Sequence, residues 1–153
     1  MRVRSIVNAT AGVLLMFTGV VGGAVLTSTA GGAATSHPSL VVRPSGSLKN
    51  NETVKVRGLH FTPNDTVFLV ECLANAKGQG SCDTSAPVMV NVNGKGTFGW
   101  TKFKVHTGTI GSGTTAGTCG TKRTDLKKCA ISAGNASGGD STMARITFVM
   151  ASS

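Results

Sequence analysis

Apolar and polar positions along this chain alternate in short runs, broken too often by Gly, Pro, Asn and Asp to be helices. Thr53–Leu59 is the cleanest run, with Val54 and Val56 on one side and Lys55 and Arg57 on the other. That spacing predicts a strand with one buried and one wet face. Residues 66–72, T-V-F-L-V-E-C, are β-branched and apolar enough for a buried strand, and the turn residues Pro63, Asn64 and Asp65 precede them. Shorter runs predict strands at Ser39–Arg43, 87–92, 97–105, 128–133 and 143–150. In the fourth strand Val88, Val90 and Val92 point inward, and in the last one Ala144, Ile146, Phe148 and Met150 share a face. Asn93-Gly94, where both residues tolerate positive φ, predicts a hairpin between the fourth and fifth strands. The return strand puts Phe98 and Trp100 on one face but Phe103 and Val105 on the other, so a bulge or bend is expected near Thr101 and Lys102. Trp100 itself is read as a core residue.

Seven short strands and no helix beyond the N-terminal region predict an all-β, seven-stranded, immunoglobulin-like antiparallel β-sandwich. The glycine-rich connections at 106–118 and 134–141 contain too little apolar matter to pack themselves and are expected to be mobile loops. Two basic residues, Arg2 and Arg4, are followed by an uncharged stretch to Ser36 that is largely apolar over residues 11–26 and rich in small residues over 30–34. This is the pattern of a cleaved secretory signal peptide, assigned to residues 1–34, with the folded domain at 35–153. The chain is therefore expected outside the cell as a monomer. An uncleaved membrane anchor is the competing reading, but Thr18, Gly19, Gly22 and Gly23 dilute the run.

Composition changes this picture in two ways. Beyond the signal the chain carries 13 basic and 6 acidic side chains, a balance that favours anionic partners without choosing among them. The second change comes from cysteine. Four cysteines in an exported domain imply two disulfides, for which three pairings exist; the nearest-neighbour pairing, Cys72 with Cys82 and Cys119 with Cys129, is expected. Each bridge closes a loop of about eleven residues and constrains the unfolded chain by roughly 3 kcal/mol. These spacings are too wide for zinc, and no metal site is expected.

An exported chain with V-R-P-S-G-S-L early, V-K-V-R-G-L in its second strand, E-C closing the third and a partner cysteine ten residues on resembles the neocarzinostatin family. V-N-V-N-G-K-G and C-A-I-S-A-G-N agree with it, and the resemblance spans about residues 38–150. It implies a secreted, non-enzymatic apoprotein that holds a reactive enediyne-like chromophore non-covalently in a cleft, the released chromophore and not the fold attacking DNA. It further implies antimicrobial activity exerted through that ligand. The expected cleft lies between the Cys72 to Cys82 loop, the hairpin region and the loop after Val105. Its ligand-contacting positions fall on Ala74, Gly80, Pro87, Ile110, Ala130 and Gly134, all small or aliphatic here. The implied ligand is a small apolar or aromatic molecule.

Other chemistry is sparse. His37, His60 and His106 sit at turns or strand ends and are read as surface residues, with no H-E-x-x-H, paired-carboxylate or G-x-S-x-G pattern. Glu71 is read as a solvent-facing edge residue, the alternative being a hydrogen-bonding group in the cleft. Lys122, Arg123, Lys127 and Lys128 form a basic cluster suited to non-specific contact with DNA or another anionic polymer, with no aromatics interleaved as in single-strand binders. This supports a second reading of function, a cell-envelope interaction module that uses a basic face on an anionic polymer or protein partner and carries no chromophore.

Overall fold

The computed structural model describes residues 36–150; the expected export signal at 1–34 lies outside the described residues. Among the described residues nine strands form, β1 (Ser39–Arg43), β2 (Thr53–Leu59), β3 (Thr66–Leu73), β4 (Cys82–Asn91), β5 (Phe98–Lys104), β6 (Gly108–Ile110), β7 (Gly117–Cys119), β8 (Cys129–Asn135) and β9 (Ser141–Ile146). Seven of them make two antiparallel sheets, ordered β1-β2-β5 and β4-β3-β8-β9, and β6 with β7 forms a separate ribbon. The inward faces supply one continuous core. Val42, Val54, Val56, Phe98 and Phe103 from the first sheet meet Val67, Leu69, Val90, Ile131 and Ile146 from the second. This is the all-β sandwich that the alternating runs predict.

Three details differ from the sequence reading. Asn93-Gly94 does not join two paired strands, because β4 pairs with β3 and β5 with β2, so the connection crosses between sheets. The side-chain oxygen of Asn93 accepts the N–H groups of Lys95 and Thr97, and the wider turn closes through Gly96 at φ 72°. A Cβ at Gly96 would meet the carbonyl oxygen of Phe61, so both backbone angle and space demand glycine there.

The second difference concerns Trp100. The register of β2 against β5 slips between Val56 and Gly58, which oppose Thr101 and Phe98, so the extra residue lies at Gly99–Trp100 rather than at Thr101–Lys102. That extra residue absorbs the phase change, leaving Phe98, Phe103 and Val105 all buried. Trp100 is consequently turned out, 43% exposed, with the guanidinium carbons of Arg43 and Arg57 at 5.6 and 5.2 Å from its ring centroid. It is a surface residue engaged in cation–π contacts, not a core residue.

Thirdly, the connection after Val105 is not a bare loop. It contains the β6–β7 ribbon, and Ile110 is fully buried. At the C-terminal end, residues beyond β9 cross to the other sheet's side, where Phe148 bridges Leu48 and Met150 is left half exposed.

The bulge makes a stability test. Trp100→Ala should cost less than about 1 kcal/mol, whereas Phe98→Ala should cost about 3 to 5 kcal/mol because it empties a core site beside Phe61. Denaturant midpoints of the two variants check this, and comparable losses would mean that Trp100 is packed inside.

Candidate functional site

The outer face of the four-stranded sheet carries a groove of about 730 Å³. Register places its floor in rows across the sheet. Met89, Phe68, Gly134 and Ser141 lie opposite one another in the first row; Val70, Ser132 and Met143 make the next. The third row is Cys82, Cys72, Ala130 and Arg145, so the Cys72–Cys82 bond lies on this same face.

Two loops wall the groove. Ala76, Lys77, Gly78 and Gln79, inside the first disulfide loop, make one wall. The second runs from Asn135 to Ser141. It is held by a polar net in which the Asn135 amide donates to Asp65 at 2.7 Å and the Thr62 N–H donates to buried Asp140.

Edge strand β4 completes the site. Its register against β3 jumps from Leu69↔Val88 to Glu71↔Asp83, leaving residues 84–87 bulged out, and this is where Pro87 is accommodated without breaking a ladder.

Of the six positions expected to contact a ligand, Pro87 and Gly134 line this groove. Ala74 lines a smaller, more polar hollow of about 500 Å³ with Lys127, Lys128 and Arg145. Ile110 belongs to the core, and Ala130 is fully buried at the end of the floor. Gly80 packs against the loop that follows β6, its carbonyl accepting the Ser112 N–H at 2.8 Å, and a Cβ there would press on Thr115. The loop after Val105 therefore supports the first wall from behind and does not line the groove. Phe68, Val70, Ser132 and Met143 were not expected. The signal for them is the run V-F-L-V in β3, apolar on both faces, which implies that the second face is covered or binds something.

Glu71 contradicts the edge reading. It shares a face with Val67 and Leu69 on a central strand, is 2% exposed, and points into the end of the sandwich. Its Oε2 accepts the backbone N–H of His106 at 2.9 Å and lies 3.1 Å from His106 Nδ1, while Nε2 of the same ring is 3.5 Å from Asp83. Cys119 Sγ is 3.7 Å from Oε1. His106 is thus half-buried between two carboxylates rather than free on the surface. The backbone hydrogen bond and the ring contact together anchor the β5–β6 connection to β3. Burial pushes the Glu71 carboxyl up to about 7 from 4.5; the His106 N–H works against this, and the Asp83 charge adds to it. Asp83 is held low by the Ser85 hydroxyl and N–H. Among the described residues, no group of three or more His, Cys, Asp or Glu side chains is arranged to hold a metal ion.

The sequence profile of the Neocarzinostatin family matches residues 40–148. The chain belongs to the neocarzinostatin family. Among solved structures similar to this family member, macromomycin has 26% sequence identity and a TM-score of 0.55, with 73% of this chain and 99% of that chain covered. Apokedarcidin, solved in solution, has 25% identity and a TM-score of 0.51, covering 74% and 100%. A comparison with curated protein sequences finds no match.

Glu71 makes stability depend on pH in a stated direction. Its folded pKa is raised, so its favourable contribution is complete below about 4.5 and is lost as pH rises through about 7. Glu71→Gln mimics the protonated form. Relative to the native protein, this variant should gain in melting temperature between pH 5 and pH 8; a difference that stays constant over that range would refute the assignment.

Proposed function

We propose that this protein is a secreted, non-enzymatic carrier that holds a small apolar or aromatic molecule non-covalently in the groove on the outer face of the four-stranded sheet. The observation that carries this reading is the groove itself. Its 730 Å³ lies within the range of drug-sized sites, roughly 300–1,000 Å³. Phe68, Val70, Pro87 and Met143 offer apolar surface to a ligand, and Ser132, Asn135 and the loop backbones offer a few polar groups to orient it. Family membership supports the same reading and adds the ligand class, an enediyne-like chromophore, with antimicrobial and DNA-directed activity belonging to the ligand. Pro87 and Gly134 are the expected contact positions that line the groove. Among the described residues Phe68 is the single aromatic ring lining it, so contact with a ligand rests on aliphatic and thioether surface more than on stacking. Export to an oxidising compartment accords with both cysteine pairs being joined.

Native mass spectrometry with absorbance, on protein secreted by its own source and kept dark, tests this directly. A reproducible added mass that absorbs in the near ultraviolet and leaves on solvent extraction is the expected result. A bare chain would oppose it. Ser132→Trp should fill the centre of the floor and reduce ligand occupancy at least tenfold while the fold and both disulfides persist. Full occupancy in that variant would place the ligand elsewhere.

A further inference from the structure

The outer face of the other sheet, β1-β2-β5, has a different chemistry. Arg43 of β1 lies directly opposite Lys55 of β2, and Lys55 lies directly opposite Lys102 of β5. Three cations therefore stand in one row across three strands, about 4.8 Å from strand to strand. Arg57, two residues from Lys55, and Lys104, two residues from Lys102, add to the same face on either side of that row. Arg43, Lys55, Lys102 and Lys104 are exposed and Arg57 is half-buried.

Like charges placed directly opposite across strands weaken a sheet. Among the described residues no carboxylate offsets them, because no lysine or arginine lies within ion-pair distance of one; the pairs present all involve His106. The six carboxylates are turned to internal work. Glu52 accepts from the Lys49 N–H, Asp65 from Asn135, Glu71 from His106, Asp83 from Ser85, Asp125 from Lys122 N–H and Asp140 from Thr62 N–H. The sheet face is consequently more cationic than the overall balance suggests, and an outside anion is what would relieve it.

We infer that this face, built on Arg43, Lys55, Arg57, Lys102 and Lys104, is a docking surface for a linear phosphate polymer recognised through its phosphates alone. Two features choose this occupant. Trp100 lies among the cations, but the Arg43 and Arg57 guanidinium carbons lie 5.6 and 5.2 Å from its ring centroid, so a base stacking on the ring would have to compete with them. A three-stranded sheet also twists by about 20–25° per strand, which a flexible chain follows and a flat bilayer does not. The site is separate from the groove, on the opposite sheet, and does not depend on any ligand held there.

The full secreted chain should bind a short linear polyphosphate, with affinity falling steeply with salt. Five engaged cations give a log–log slope of about 3 to 4 on the single-strand value of roughly 0.7 per contact. Lys55→Glu is the decisive variant. It should lower affinity about tenfold or more while leaving the melting temperature equal or higher, because the introduced carboxylate would face Arg43 and Lys102. Lys122→Ser with Lys127→Ser, outside this sheet, should bind like the native chain. Undiminished binding by Lys55→Glu would overturn the proposal, as would loss of binding in the Lys122 and Lys127 variant. So would attachment to vesicles of phosphatidylglycerol and phosphatidylcholine without binding to polyphosphate, which would assign the face to a bilayer. Single-stranded DNA binding far more tightly than polyphosphate of equal charge would show that bases are read, and would overturn it too.

Discussion

The covalent tie between Cys72 and Cys82 is the constraint from which the rest of the site follows. It joins directly opposed residues of a central strand and its edge neighbour. The residues between them must then rise from one end of the sheet as a wall. Because the bond lies on the outer face, it also sets the end of the groove floor. A loop this short is stiff but not self-supporting, and its support comes from the β6–β7 ribbon. The Ser112 N–H reaches the Gly80 carbonyl, and the Ser81 hydroxyl donates to the Thr115 carbonyl at 3.2 Å. The ribbon in turn leaves β5 through His106, which Glu71 holds. One buried carboxylate therefore sets the departure point of the element that braces the wall, which accounts for a glutamate kept on the core face of a central strand despite its desolvation.

Strand positions were legible because alternation is a local property. Val54 and Val56 against Lys55 and Arg57 announce β2 without any tertiary knowledge, and the V-F-L-V run announces a strand apolar on both faces. What the chain did not reveal depends on distant partners. The 106–118 segment has Ile110 as its one large apolar residue, and it is ordered by Glu71 and Gly80, each about thirty residues away. Trp100 was misplaced because one inserted residue reverses the facing of everything before it, and periodicity reports that a slip occurs without saying which residue absorbs it. Glu71 was more readable than the edge assignment allowed. It lies two residues from Leu69 and four from Val67, so period two alone puts it inside. The groove's second wall was out of reach, since the Asn135, Asp140, Asp65 and Thr62 net joins segments some seventy residues apart.

Charge is sorted in this fold rather than paired. Acidic side chains accept hydrogen bonds from backbone N–H groups and neutral side chains, and they close turns as Asp125 does in the second disulfide loop. Basic side chains extend outward on strands. That division costs some sheet stability where Arg43, Lys55 and Lys102 are aligned, and the two disulfides and the continuous core outweigh it.

The apolar groove and the cationic face look out from opposite sheets, and the core between them is closed packing. Sites that share no side chain influence each other little, so their binding free energies should simply add. A polymer decorated with many copies of this protein would then leave every groove open to the medium and act as a stationary reservoir. What the grooves hold would be concentrated along the strand and released at a rate set by the groove alone.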